Sequence, residues 1–442
     1  MSVGSLRVSL YGRHVADILD AGIGLAGLRY TPEARAAGAA ARVSLSLPVR
    51  EEPYPAAIGP AMRWMRGLLP EGRALQAAVE QYQVPADDVF SLLSVLGRDV
   101  AGAVMITPPD EHPTEAAPDY LALRQEDLNA LVRDVHDKPL GLDRSRGVRL
   151  SLAGVQDKLV LHRRGRQWYQ PVGGAPSTVI VKPEPPPRHG VSLAGLATNE
   201  AFCLALARRA GLPAARADVR RLGGRPCLVV RRYDRRLLPD GTVERLHQED
   251  FLSAMGRDPW LKYERGNARR LTPGGGFGES APVRDDPGPG LSEVAALLEA
   301  HAGRASLLRL AGAAAFNVLI GNADAHARNY SLLLPPDGSV AFAPLYDVVC
   351  TRAHEGLTTD AAQHVNGVED IDAVALSDLH AEAASWGLPP PLLAALDRVI
   401  DHATKGLRPA VQETVRKGGD PAHAHRVADI VAQRAERLLA RG

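Results

Sequence analysis

Ile320-Gly-Asn-Ala-Asp324-Ala-His-Ala-Arg-Asn329, followed by Tyr330-Ser-Leu-Leu-Leu-Pro-Pro-Asp-Gly-Ser-Val-Ala-Phe-Ala-Pro-Leu-Tyr-Asp347, is the stretch that decides the fold. Before it, Leu307, Leu308, Ala311, Ala314, Val318 and Leu319 fall on one face of a helix over 305–320. After it, residues 330–334 and 339–347 flank Pro335-Pro-Asp-Gly338, the composition of a tight turn, so the segment reads as a β-hairpin. A hairpin that leaves from Asn329 and returns to Asp347 puts both residues at one end of a sheet, with Asp324 just upstream. Two carboxylates and one amide then converge. The competing reading is local: Asp and Asn also cap helix ends and turns without any chemistry.

Phosphoryl transfer needs such a group. One carboxylate orients or deprotonates the attacking hydroxyl, while an Asn and a second Asp offer oxygen ligands to Mg²⁺ on the phosphates. In a protein-kinase catalytic loop the Asp precedes the metal-binding Asn by five positions, as Asp324 precedes Asn329 here. A cation for the α/β-phosphates is supplied by Lys182, which ends the β-prone run Val179-Ile-Val-Lys182. Its partner carboxylate is Glu200, read as lying in the first turn of a helix over 196–210; the helix dipole alone would also favour an acid there. Upstream, Leu150-Ser-Leu-Ala-Gly-Val-Gln-Asp-Lys158 joins two β-prone runs through small residues whose N–H groups can approach phosphate. With one Gly it matches no standard phosphate-binding pattern and also reads as an ordinary hairpin. Tyr233 can pack on an adenine or simply belong to the core.

The chain has 442 residues, enough for two to four domains at roughly 100–200 residues each. Hydrophobic residues make up 45% and charged ones 23%, an ordinary globular balance that excludes a wholly disordered or coiled-coil chain. Lys plus Arg number 52 against 51 Asp plus Glu, so net charge points to neither nucleic acid nor membrane. Cys203, Cys227 and Cys350 are odd in number and far apart, which excludes a disulfide scaffold and a structural zinc site. The start lacks a signal pattern, and the longest apolar stretch, 305–321, is interrupted by Arg309 and Asn317, so a cytoplasmic protein with no membrane contact is expected.

Alternating patterns predict strands over 6–10, 41–47, 101–106, 149–152, 159–162, 179–182 and 227–231. Helical spacing runs over 61–83, 88–97, 196–210, 292–300, 305–320, 372–386, 391–403 and 421–439. Residues 107–118 read as a linker, and 183–191 and 266–290 as Pro- and Gly-rich loops. The basic run Arg231-Arg232 and Arg235-Arg236 reads as a solvated strand end. His402, His423 and His425 read as solvated helix residues.

Together these residues resemble the HipA family of bacterial serine/threonine kinases, the toxin half of a type II toxin–antitoxin pair. The resemblance rests on Ser151-Leu-Ala-Gly-Val-Gln-Asp-Lys158, Val181-Lys-Pro183, Asn199-Glu200, Arg232-Tyr-Asp-Arg235, Leu246-His-Gln-Glu-Asp250, Asp324-Ala-His-Ala-Arg-Asn329 and Leu345-Tyr-Asp347. Gly67-Leu-Leu-Pro-Glu-Gly72 and Leu96-Gly-Arg-Asp-Val-Ala-Gly-Ala103 extend it to an accessory subdomain. It implies an α+β, bilobal protein-kinase-like fold: an N-terminal β-rich accessory subdomain over 1–108, a β-rich kinase N-lobe over 109–236, and a helical C-lobe over 237–442.

The resemblance further implies an ATP- and Mg²⁺-dependent kinase with Asp324 as catalytic base and Asn329 and Asp347 on the metal. Nucleotide contacts would come from Ala153, Gly154, Val155, Gln156, Asp157, Lys158, Lys182, Glu200, Arg231, Tyr233, His326, Arg328 and Tyr346. Ser151 matches the family's autophosphorylation serine, where an added dianion would repel the ATP phosphates. Implied partners are a protein substrate such as an aminoacyl-tRNA synthetase, a helix-turn-helix antitoxin of the HipB type, and DNA only through that antitoxin. Ala325 and Arg328 stand where the family has Gly and Lys, and Arg231 where an acid is usual at the adenine hinge. His326 is read as holding the loop through hydrogen bonds rather than as the base. Two other functions fit the same Asp-x4-Asn spacing: a small-molecule phosphotransferase, or a catalytically weak, antitoxin-bound corepressor subunit.

Overall fold

A computed structural model of the chain describes residues 4–22, 24–111, 119–154, 156–186, 192–264 and 287–440. The architecture is α+β. A four-stranded antiparallel sheet, ordered Ala26–Tyr30, Arg13–Asp20, Ser5–Leu10 and Val104–Thr107, packs with the helices Pro60–Gly67, Gly72–Tyr82 and Val89–Leu96 around its own core of Ile18, Leu28, Trp64 and Leu92. Next comes a six-stranded antiparallel sheet, ordered Asp119–Leu123, Gln167–Val172, Leu159–Arg164, Val179–Pro183, Arg225–Arg231 and Arg216–Leu222. The second half is mostly helical: Leu291–His301, Gly303–Ile320, Leu376–Ser385, Pro390–Arg416 and Pro421–Ala440.

The helix Leu196–Arg209 joins the two halves. It is buried on every side from Leu196 to Ala207, because Phe202 and Leu206 share one core with Val230 of the sheet and with Phe316, Leu396 and Val431 of the C-terminal helices. The apolar helix Gly303–Ile320 is long enough to cross a membrane, but 72% of it is buried inside the fold. At its end Gly321 turns left-handed with φ 69° and releases the chain into the 322–329 loop.

Several elements differ from the sequence reading. Residues 41–47 are not a strand: their backbone finds side chains instead, with the Leu45 N–H donating to Glu249 Oε1 at 2.8 Å and the Val43 carbonyl meeting His247 Nε2 at 2.9 Å. Residues 149–152 are irregular too. The helical run over 61–83 breaks between Gly67 and Gly72, where Pro70 cannot donate a backbone hydrogen bond. The predicted helix over 391–403 continues to Arg416 through Pro409, since Leu396, Ile400, Ala403 and Ala410 bury one face and offset the lost bond. Most of the loop read over 266–290 lies outside the described residues.

The basic run is not a solvated strand end. Arg231 and Arg236 are exposed, but the Arg232 and Arg235 side chains are 2% and 0% exposed. Arg232 Nη2 donates to Asp234 Oδ2 at 2.7 Å and to the Val100 carbonyl at 3.0 Å; Arg235 Nη2 donates to Asp99 Oδ1 at 2.9 Å. The Gly102 N–H in turn donates to Asp234 Oδ2 at 2.9 Å. Residues 99–102 of the first unit are thereby fastened to the end of the Arg225–Arg231 strand by charge-assisted bonds in a dry setting.

A second clamp holds the helix Pro390–Arg416 to Leu196–Arg209. Glu413 accepts from Arg208 and Arg209 at 2.8 Å each and from Lys417 at 3.0 Å. Burial raises its pKa, but Lys417 and Arg208 outweigh that and bring it down to about 2 from 4.5. A depressed acid contributes stability that is present above its unfolded pKa and lost as pH falls through the folded one. Wild type is therefore expected to melt above Glu413→Gln near neutral pH, with the gap narrowing below about pH 4.5 and closing by about pH 2. Thermal melts of both proteins across that range check this; a gap that is constant with pH would refute it.

Candidate active site

The cleft between the six-stranded sheet and the helical half gathers most of the predicted residues. Leu152, Ala153, Gly154, Gln156, Lys158, Lys182, Glu200, Arg231, Tyr233, Asp324, His326, Arg328, Asn329, Tyr346 and Asp347 all line one cavity. Lys182 ends its strand next to the helix Leu196–Arg209, and its Nζ donates to Glu200 Oε1 and Oε2 at 3.0 and 3.1 Å and to Asp347 Oδ1 at 2.5 Å. Glu200 is past the first turn of its helix, which has no acid, so the capping reading is corrected: its carboxylate serves Lys182. Burial alone would lower the Lys182 pKa, but Asp347 and then Glu200 raise it, so the ammonium stays charged. Asp347 has φ 56°, a left-handed conformation uncommon for a non-Gly residue, and its side chain keeps 44% exposure toward the cleft.

The hairpin of the sequence reading is present but short: Ser331–Leu333 pairs with Ala341–Phe342, and Gln248–Asp250 adds a third strand. The 322–329 loop is held by its own polar groups. Asn329 Nδ2 donates to the Asp324 carbonyl at 2.9 Å, which fixes the amide's orientation, and the Asp324 N–H donates to Asn322 Oδ1 at 3.2 Å. Tyr263 OH donates to Asp324 Oδ1 at 3.1 Å. His326 is buried with its ring edge-on to Tyr263, and burial together with Lys262 holds its pKa well below the ordinary value, so the ring is neutral. Asn329 and Asp347 offer two oxygen donors, a set that suits Mg²⁺, which keeps most of its shell for water and phosphate. Among the described residues no cluster of three His, Cys, Asp or Glu side chains could hold a metal by itself.

Three predicted site residues are placed differently. Arg328 does not present its guanidinium to the cleft alone: Nε donates to Asp250 Oδ2 at 2.9 Å, Nη2 to the Gly67 carbonyl at 3.0 Å, and Nη1 to Glu71. Asp157 does not line the cavity; it pairs with His136 at 2.8 Å. Ser151 is 1% exposed, outside the cavity lining, with Oγ donating to the Leu68 carbonyl at 2.5 Å. Val155 lies outside the described residues. Tyr233 lines the cavity with its ring 5.8 Å from Tyr346 and its hydroxyl on Gln248 Oε1 at 2.7 Å, while Tyr346 OH donates to the Arg328 carbonyl at 2.6 Å.

Lys158 Nζ donates to the Ala153 carbonyl at 2.7 Å, beside Gly154, which has φ +109° and where a Cβ would stand 2.5 Å from that Nζ. Burial and the neighbouring Lys182 lower the Lys158 pKa to about 8. The sequence reading missed Lys262, Tyr263 and the site role of Glu71. Glu71 stands out in sequence only as part of Gly67-Leu-Leu-Pro-Glu-Gly72, and Lys262-Tyr263 follows an apolar helix start at Phe251 with no spacing that ties it to Asp324.

Comparison with known proteins places the chain in a family. Residues 6–107 match the HipA N-terminal domain and residues 150–407 the HipA-like C-terminal domain. Y4mE of Sinorhizobium fredii is 34% identical over 407 residues, covering 89% of each chain. The serine/threonine-protein kinase toxin HipA of Shewanella oneidensis is 30% identical over 338 residues, covering 74% of this chain and 71% of that one. The solved HipA, HipB and operator DNA complex of Shewanella oneidensis contains a chain that superimposes with a TM-score of 0.79 at 26% identity, covering 98% of this chain and 97% of that chain. With both of its domains matched in order, the chain belongs to the HipA family of kinases.

Proposed function

We propose that this protein is an ATP- and Mg²⁺-dependent serine/threonine protein kinase that modifies its own Ser151 and a translation-related protein, such as an aminoacyl-tRNA synthetase. The observation that carries the reading is the gathering of Lys182, Asp324, Asn329 and Asp347 on one cavity. Lys182 would meet the nucleotide phosphates, with Glu200 keeping its ammonium in place. Asn329 and Asp347 would hold Mg²⁺, which when bound neutralises phosphate charge. Asp324, steadied by Tyr263 on one oxygen, would take the proton of the attacking hydroxyl. Tyr233 and the backbone near Arg231 would face the base. The three units we assign are 1–108, 109–236 and 237–442. The solved relative sits in a complex with HipB and operator DNA, and we infer a HipB-type partner here as well.

Intact-mass measurement after incubation with Mg-ATP tests this: one added phosphate on wild type and none on Ser151→Ala is expected, and no gain on wild type refutes self-modification. Because the Ser151 hydroxyl is buried on Leu68, that reaction requires the loop to open. For Lys182→Met, the loss of a charge-assisted contact to phosphate is expected to raise KM for ATP by about tenfold or more, read by steady-state phosphate release. An unchanged KM would remove Lys182 from the nucleotide site.

A further inference from the structure

Glu71 belongs to the first unit of the chain, yet its carboxylate lies in the cleft formed by the other two. Its Oε1 accepts from the Gly154 N–H at 3.2 Å and also pairs with Arg328 Nη1, while Oε2 lies 3.9 Å from Lys262 Nζ. One anion thus touches the backbone at Gly154, the catalytic loop and the segment that carries Tyr263. Its neighbours in sequence do the same: the Gly67 carbonyl accepts from Arg328 and the Leu68 carbonyl from Ser151. Burial would raise the Glu71 pKa, but Arg328 and then Lys262 outweigh it and hold it down to about 2, so the group is ionised across the physiological range.

The break between the helices Pro60–Gly67 and Gly72–Tyr82 is what delivers these groups. Pro70 stops the first helix, leaving the Gly67 and Leu68 carbonyls without partners further along the helix, and they turn to Arg328 and Ser151 instead. With the accessory unit bolted to the sheet at residues 99–102, residues 67–71 are a fixed bracket rather than a loose loop.

We propose that Glu71 is a positioning residue of the kinase: a latch by which the accessory unit fixes the Gly154 backbone beside the nucleotide pocket and in register with the catalytic loop. This rests on the reading of the cleft as an ATP site. Removing the charge while keeping an acceptor, as in Glu71→Gln, leaves the Gly154 bond possible but loses the ion pairs that aim it. Glu71→Asp keeps the charge one methylene further from Gly154.

Hydrogen exchange on the nucleotide-free full chain is the first measurement. Amides of the 151–158 peptide are expected to exchange about tenfold faster or more in Glu71→Gln, with the core helix Gly303–Ile320 unchanged and Glu71→Asp in between. Steady-state kinetics form the second: KM for Mg-ATP is expected to rise about tenfold in Glu71→Gln with a smaller fall in kcat, while Lys405→Gln on the exposed face of the long helix changes neither. Unchanged exchange in the loop overturns the latch. So does tighter Mg-ATP binding by Glu71→Gln, which would mean that the carboxylate occupies the place of a phosphate. If wild type binds no Mg-ATP, the kinase reading fails instead, and the exchange result still decides the latch.

Discussion

Asp324→Asn is expected to reduce phosphoryl transfer about a thousandfold while leaving the fold intact, since proton transfer by a positioned base contributes roughly 10²–10⁴-fold. Asn matches Asp in shape, and the contacts that build the loop survive the change. The Asp324 carbonyl still accepts from Asn329, its N–H still donates to Asn322, and an amide oxygen can still accept from Tyr263. What disappears is the only function an amide cannot supply, uptake of a proton. Phosphate release at saturating Mg-ATP, alongside a thermal melt of the same sample, reads both halves of the expectation. Activity within about tenfold of wild type would move the base elsewhere. His326 is the nearest alternative in sequence, but burial and Lys262 hold its pKa well below the ordinary value, which makes it a poor proton acceptor, and its ring lies edge-on to Tyr263.

Asp99→Ala is expected to cost about 3–5 kcal/mol, the range for breaking a buried ion pair by deleting one partner. Asp99 is 1% exposed and faces three arginines: Arg235 at 2.9 Å, Arg245 at 3.4 Å and Arg232 at 3.6 Å. Its Oδ2 also accepts from the Ser177 hydroxyl at 2.6 Å and the Ser177 N–H at 3.0 Å. Burial raises the Asp99 pKa, but Arg235 and Arg232 more than reverse that, so the carboxylate is charged in the folded protein. Without it, Arg232 and Arg235 share Asp234 alone in a dry junction, and Arg245 keeps only the Arg98 and Gly174 carbonyls. Equilibrium urea unfolding measures the loss. Arg236→Ala removes an exposed pair with Glu244 a few residues away and is expected to change stability by less than about 1 kcal/mol. Equal losses for the two variants would show that the junction adds nothing beyond a surface pair.

Much of the site was legible because its logic is local. The five-residue spacing of Asp324 and Asn329 lies within one loop, and the return to Asp347 follows from a turn whose composition permits little else. Lys182 and Glu200 were legible for a similar reason: a strand ends, and the next helix passes beneath it. The buried arginines were not. Arg232 and Arg235 look like solvated charge in any window of sequence, because the acid that makes burial affordable, Asp99, is more than 130 residues away. The strand expected over 41–47 failed in the converse way. Alternation is real, with Val43, Leu45 and Leu47 all buried, but no strand pairs with this stretch among the described residues, and the Glu249 and His247 side chains take its backbone bonds.

Sequence alone singled out two acids, one amide and one lysine that line the cleft, Asp324, Asp347, Asn329 and Lys182, since hydrophobic period, turn composition and short spacings act over a few residues. Tertiary structure alone decided that Glu71 reaches the cleft, that Ser151 is buried on Leu68, and that Arg328 binds two acids and a carbonyl. The reason is physical: a charge is placed by whichever opposite charge or backbone group loses its water beside it, and such partners meet only when distant segments pack.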